Sequence, residues 1–148
     1  MADCFFNLRY PFWHNDELKI SDSEMTEFCR AALWYSNDIE ITDTKLHGIK
    51  ALRECSRVKM QRCDIISPEF GWSIQDIEMK DCVVQSEYFM MRSEHLNFDN
   101  VTLNGKYSFQ YIQDSIFENC RIIGTQPLCY CKNLKLINCE MSSKKKER

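Results

Sequence analysis

Apolar and polar residues alternate along this chain in short runs, and the runs recur every nineteen residues. Leu18-Lys19-Ile20, Ile39-Glu40-Ile41, Val58-Lys59-Met60 and Ile77-Glu78-Met79 each read apolar, polar, apolar. A period of two is that of a strand, and β-branched and bulky apolar residues suit a pleated surface. A second short alternation follows each run. It joins a small-residue column (Cys4, Ser23, Thr44, Cys63, Cys82, Val101, Cys120, Cys139) to Phe6, Met25, Leu46, Ile65, Val84, Leu103, Ile122 and Met141. A third apolar column is Phe12, Leu33, Leu52, Gly71, Met90, Phe109 and Leu128. Every step along the small-residue column is nineteen residues except Ser23 to Thr44, which is twenty-one. A fixed period of this size marks a solenoid. Three short strands in nineteen residues leave room only for tight corners and none for a helix. The predicted fold is therefore all-β, a parallel β-helix of about seven coils with three short strands per coil.

The corners are legible as columns too. Asp22, Asp43, Arg62, Asp81, Asn100, Asn119 and Asn138 fall between the first and second strands. Asn and Asp tolerate left-handed backbone and bond their own main chain, so they suit sharp bends. Glu27, Gly48, Ser67, Ser86, Gly105, Gly124 and Ser143 form a second turn column after strand two. The two extra residues of the second coil lie in TEFCRAA, where a corner bulge is expected to carry Phe28 and Cys29 outward. Outward positions of strand one run Lys19, Glu40, Lys59, Glu78. Opposite charges on adjacent strands contribute roughly 0.2–1 kcal/mol a pair, and a slip of one coil would oppose like charges. This column is read as register control.

Composition narrows the function without fixing it. The chain has 148 residues and a formal net charge of −3, from 19 basic and 22 acidic side chains. That balance does not imply nucleic acid or a membrane surface. No stretch approaches a membrane span, and the start MADCFFNLRYPFW lacks a signal-peptide pattern. A cytoplasmic location follows as the expectation. Nine cysteines fit a reducing compartment. Cys63, Cys82, Cys120 and Cys139 share their column with Ser, Thr and Val, which points to buried free thiols. Residues 1–141 read as one domain, and residues 142–148 as a charged, disordered tail.

Phosphate-binding glycine loops, Gly-x-Ser-x-Gly and His-Glu-x-x-His are absent. Cys129 and Cys131 lack further zinc ligands at matching spacing. Cys131 instead continues the column Asn15, Ser36, Cys55, Ile74, Ser93, Ile112. No cofactor, no metal and no catalytic residue is assigned. One surface feature stands out. Beside the third apolar column, adjacent positions carry Trp13, Trp34, Tyr35, Arg53, Glu54, Trp72, Arg92, Tyr111 and Tyr130. Phe12, Leu33 and Leu52 should point inward, so the Trp column should point outward. Trp, Tyr and Arg dominate protein-binding patches. Such a strip also suits stacking on sugars, with carboxylates and arginine for acid–base work. A lone outward Glu54 does not make a glycosidase pair.

The tracts RYPFWHNDELKI, RAALWYSNDIEITDT, LNGKYSFQ and LCYCKNLKLINCEM resemble a bacterial protein family of unknown function, grouped with the pectin-lyase-like β-helices. The similarity runs from about Asp3 to Met141. It implies a single-stranded, right-handed parallel β-helix, and it brings no established activity and no catalytic residues. Family members look longer, with further coils on both sides.

Two functions are carried forward. The first is a non-catalytic binding or scaffold protein, such as a small inhibitor or adaptor, engaging a protein partner through the aromatic strip. The second is a carbohydrate-active or sugar-binding protein using the same strip. Long loops walling the strip would favour sugar. The bare coil ends further suggest a homodimer or a capping partner, with contact near Phe5, Phe6 and Tyr10.

Overall fold

The computed structural model describes residues 1–143. Those residues contain fourteen strands and no helix. They are β1 (Phe5–Phe6), β2 (Asp16–Ser21), β3 (Glu24–Met25), β4 (Asn37–Thr42), β5 (Lys45–Leu46), β6 (Ala51–Arg53) and β7 (Ser56–Gln61). The longer β8 (Asp64–Trp72), β9 (Gln75–Met91) and β10 (Glu94–Ser108) follow, then β11 (Gln113–Glu118), β12 (Arg121–Ile123), β13 (Lys132–Ile137) and β14 (Glu140–Ser142). All pairings are parallel, and together they wind a β-solenoid of about seven turns. One face carries β2, β4, β7, the first parts of β9 and β10, then β11 and β13. The next carries β1, β3, β5, β8, the middles of β9 and β10, then β12 and β14.

Register follows the repeat. Val58 faces Ile77, Ile77 faces Leu96 and Cys82 faces Val101, each nineteen residues on. Leu18 faces Ile39 and Met25 faces Leu46 across the twenty-one-residue step, but Arg30 already bridges Ile49. The surplus pair is thus Glu27 and Phe28, in a turn closed by the Cys29 amide donating to the Thr26 carbonyl at 3.0 Å. Phe28 points outward as expected. Cys29 does not: it is fully buried, with its thiol donating to the Phe6 carbonyl at 3.1 Å. It occupies the inward slot above which Gly48 packs, and a Cβ on Gly48 would collide with the Cys29 carbonyl oxygen.

The inward columns make one narrow core. Ile39, Ile41, Leu46, Met79, Leu96 and Phe98 are all at most 1% exposed. Its carboxy-terminal half is aromatic, with Phe98 edge-on to Phe109 and Phe117 at centroid separations of 5.4 and 5.6 Å. Small polar side chains satisfy carbonyls freed at the corners. Ser36 donates to the Phe12 carbonyl, Cys55 to Leu33 and Cys131 to Phe109. In the other small column Cys63 donates to Ile41 and Cys139 to Phe117. Cys63, Cys82 and Cys120 are buried, Cys139 is partly exposed, and all nine cysteines are free thiols.

The corners divide into two kinds. Asp3, Asp22, Asp43, Arg62, Asp81, Asn100, Asn119 and Asn138 all have φ between 47° and 56°, the left-handed bend their residue types suit. Arg62 is the misfit, and its guanidinium is bidentate to Asp43 at 2.7 and 3.0 Å. The Gly/Ser column behaves differently: β8, β9 and β10 run straight through Ser67, Ser86 and Gly105. These residues keep negative φ and are buried. Smallness there serves close coil approach rather than a turn.

The third strand is present but short. Phe12, Leu33, Leu52, Gly71, Met90, Phe109 and Leu128 all have positive φ, and so do the residues two further on, from His14 to Tyr130. The segment is a double left-handed corner, and only β6 and the ends of β8, β9 and β10 make ladders there. Its apolar column does point inward, with Leu33, Leu52, Met90 and Phe109 buried. Period-two patterning alone does not separate such a corner from a strand.

Ser142 ends β14, so regular structure reaches one residue past the domain boundary expected from sequence. The basic end of the tail, from residue 144, lies outside the described residues.

Candidate binding surfaces

Each column of the aromatic strip is a stack of its own. Trp13 lies flat on Trp34 at 5.2 Å and 4°, and the Arg53 guanidinium sits 5.1 Å from the Trp34 ring centre. Both indole N–H groups are spent on the fold: Trp13 donates to the Ala31 carbonyl at 2.6 Å and Trp34 to Lys50 at 2.7 Å. Trp13 is exposed, Trp34, Arg53 and Trp72 are half-buried, and Met91 in the same column is buried. The expectation of an outward Trp column is therefore only partly met, because the corner folds these rings over the core edge. In the adjoining column His14 stacks on Tyr35 at 5.1 Å and Tyr111 on Tyr130 at 4.9 Å. The Arg92 guanidinium lies 4.7 Å from the Tyr111 ring centre. Glu54 approaches Arg53 at 3.8 Å. The strip is thus two stretches of self-stacked rings with Glu54 and Ser73 between them, and no loop walls it. At the amino-terminal end Phe5 and Tyr10 are exposed, while Phe6 packs edge-on against Phe12 at 5.1 Å.

The principal concavity lies elsewhere, on the face of β2, β4, β7, β9, β10 and β11. It is an open groove of about 680 Å³ running along the solenoid axis. Its floor is the outward column Lys19, Glu40, Lys59, Glu78, Asn97 and Ile116, whose methylene stems give it apolar character. Its wall is the corner column Glu17, Asp38, Arg57, Asp76, His95 and Asp114. Every one of these six wall residues has positive φ. That bend lifts their side chains along one edge of the sheet.

The two halves of the groove differ electrically. In the first half charges are matched. Lys19, Glu40, Lys59 and Glu78 oppose one another in register, and Arg57 is bidentate to Asp38 at 2.6 and 3.1 Å. The hydrogen bond from Arg57 holds the Asp38 carboxyl below its ordinary value. Beyond Lys59 no lysine or arginine lines the groove. Asp76 and Glu78 accept no side-chain hydrogen bond among the described residues, and Asp114 accepts one, from Asn133 at 2.7 Å. His95 stands between Asp76 and Asp114. Stacked two coils apart, those carboxylates lie roughly 9–10 Å from each other by the strand spacing of ~4.8 Å. That is at or beyond the ~6.5–9.5 Å of an inverting glycosidase pair and far beyond the ~5–5.5 Å of a retaining one. The arrangement offers acceptors for hydroxyl groups along an elongated ligand.

None of the strip residues named from sequence lines this groove. The signal for it in the sequence is the corner column itself: Asp38, Arg57, Asp76, His95 and Asp114 precede the charged strand column by two residues throughout. The break of alternation at Asn97 and Ile116 is a second sign.

Among solved structures, a chain from Parabacteroides merdae ATCC 43184 described as a "putative glycosyl hydrolase" is similar over 90% of this chain and 82% of its own, at 8% identity and a TM-score of 0.53. That likeness is one of fold, and places the chain among the parallel β-solenoids. No curated protein matches it. A family model described as "Protein of unknown function (DUF3737)" matches residues 1–116 and 113–147, and this chain belongs to that family.

Proposed function

We propose that this protein is a non-catalytic β-solenoid binding protein that takes a neutral glycan chain along the groove of its first face. The observation that supports this most is the half of the groove beyond Lys59, free of lysine and arginine, where Asp76, His95, Asn97 and Asp114 surround the apolar Ile116. Sugars present an apolar ring face and a rim of hydroxyl donors, and that surface is complementary to both. The excess of carboxylates disfavours a polyanionic glycan. The description of the Parabacteroides merdae protein as a "putative glycosyl hydrolase" on a similar fold points the same way. A protein partner on the strip is the second reading, favoured by Tyr130, which is 75% exposed at the end of its stack.

Calorimetric titration with neutral gluco-, xylo- and chito-oligosaccharides tests the proposal. Saturable binding is expected, weakened at least tenfold by Asp76→Ala with Asp114→Ala while the melting temperature holds. Absence of binding to every neutral oligosaccharide at millimolar concentration would refute it. New reducing ends during the titration would convert binding into hydrolysis and overturn the non-catalytic part.

A further inference from the structure

The outward corner column runs His14, Tyr35, Glu54, Ser73, Arg92, Tyr111, Tyr130. Six of these side chains are large and one is small. Ser73 therefore leaves a gap one coil deep in an otherwise filled stack. A recess of about 270 Å³ opens there, lined by Ser73, Gln75, Arg92, Glu94, Tyr111 and Gln113, with Ser93 beneath. It lies around the corner from the groove and shares no residue with it.

Arg92 is the chemical feature of this recess. One side of its guanidinium is held against the Tyr111 ring, and Tyr111 is held by Tyr130, so the group is oriented before any ligand arrives. Arg53, Arg57, Arg62 and Arg121 each have a carboxylate partner. The Arg92 side chain has neither an ion pair nor a hydrogen bond among the described residues, and it is exposed. The nearby acid, Glu94, accepts the Gln113 amide at 2.7 Å. The Ser93 hydroxyl donates to the Met91 carbonyl and accepts from the Ile74 amide. The groups left without a hydrogen bond are the guanidinium, the Ser73 and Tyr111 hydroxyls, the Gln75 amide, the Gln113 carbonyl oxygen and the second oxygen of Glu94, and most of the free donors belong to the guanidinium. Planar guanidinium groups bind carboxylates through two parallel N–H···O bonds.

We propose that this recess is a carboxylate-binding site, in which a small organic acid or a sugar acid fills the stacking position left open by Ser73. The carboxylate pairs with Arg92, and Ser73 and Gln75 hydrogen-bond its substituents. The site is independent of the neutral-glycan groove.

The test is titration of the whole chain by NMR with glucuronate, glucose and acetate, following the Arg92 Nε–H and the Tyr111 ring signals. Glucuronate should bind at least tenfold more tightly than glucose, and Arg92→Gln should abolish the difference. Acetate equal to glucuronate would assign the site to free small acids, and glucuronate tighter than acetate would assign it to sugar acids. Both support a carboxylate site. Ser73→Tyr is the second variant. Tyrosine already occupies this backbone conformation at Tyr35 and Tyr111, so the chain should fold with the stack completed and the recess closed. Loss of glucuronate binding at an unchanged melting temperature is expected. Glucuronate no tighter than glucose, or binding that survives both Arg92→Gln and Ser73→Tyr, would overturn the proposal. Failure of neutral oligosaccharides to bind would strike only the groove.

Discussion

Replacing Phe98 with alanine should be among the most damaging single changes to this protein. The side chain is 1% exposed and sits in the middle of the aromatic half of the core. It contacts Phe89 at 6.1 Å, Phe109 at 5.4 Å and Phe117 at 5.6 Å, each edge-on. Truncating a buried phenylalanine costs about 3–5 kcal/mol, transfer and cavity terms together. Edge-on aromatic pairs contribute ~0.5–1.5 kcal/mol each beyond area, and three are lost at once. The upper part of the range, about 4–5 kcal/mol, is therefore expected. At ~2–4 °C per kcal/mol for a chain near this size, the melting temperature should fall by roughly 8–20 °C. Leu136 is the internal control, because it occupies the same column two coils on but is 40% exposed. With part of its area never removed from water, Leu136→Ala should cost about 1 kcal/mol. Urea melts followed by circular dichroism measure both, with m values as the check on two-state behaviour. A Phe98→Ala cost no larger than that of Leu136→Ala would refute the column assignment and the packing argument resting on it.

Trp34→Ala should cost about 2 kcal/mol rather than nothing, since it removes a flat stack on Trp13, a hydrogen bond to Lys50 and the platform under Arg53. An unchanged urea midpoint would show that the ring carries no structural weight. Thiol titration at pH 8 should leave Cys55, Cys63, Cys82 and Cys120 unlabelled until denaturant is added, and rapid native labelling of these four would contradict the core. Burial pushes the Cys55 and Cys120 thiols up to about 11 from 9.0. Folding there favours the protonated thiol, so their contribution to stability is complete below pH 9 and is lost as pH rises from 9 to 11. A Cys55→Ala, Cys120→Ala chain should show a shallower loss across that window. We also expect self-association through Leu136 and Met141, which are 40% and 47% exposed. Light scattering should show it and Leu136→Lys should reduce it, while a monomer at every concentration would rule it out.

Much of this architecture is legible in residue columns because a solenoid repeats its chemistry at fixed spacing. Ile39, Val58 and Ile77 announce one face. Asn100, Asn119 and Asn138 announce one corner, since a left-handed bend selects few residue types. The double corner at Leu33 and Tyr35 is masked because Leu33 and its column are buried as a strand's inward column would be, and residue types do not record φ. The inward setting of Cys29 is hidden because an insertion of two residues can be threaded at several points of TEFCRAA. Only hydrogen bonding shows that Glu27 and Phe28 are the surplus. The groove is concealed for a different reason. Lys19, Glu40, Lys59 and Glu78 are fully accounted for as matched charges, so nothing in that column points beyond register. Its wall residues take effect through backbone geometry that no alternation of types encodes. In the aromatic strip Trp13 and Trp34 look free in sequence, and their indole N–H groups are committed to carbonyls in space.

The constant register makes length a separate property from fold. Most coil-to-coil contact spans nineteen residues, so relative contact order at this length is about 0.13. Adding or removing a coil leaves that separation untouched. A solenoid of this kind is written like a sentence of interchangeable clauses. A nineteen-residue block, such as residues 64–82, can be lost and the remaining columns still meet in phase. Duplication of the same block would lengthen the groove by one strand spacing. The length of the groove is then heritable in whole coils, whereas the surplus pair Glu27 and Phe28 is absorbed at a corner.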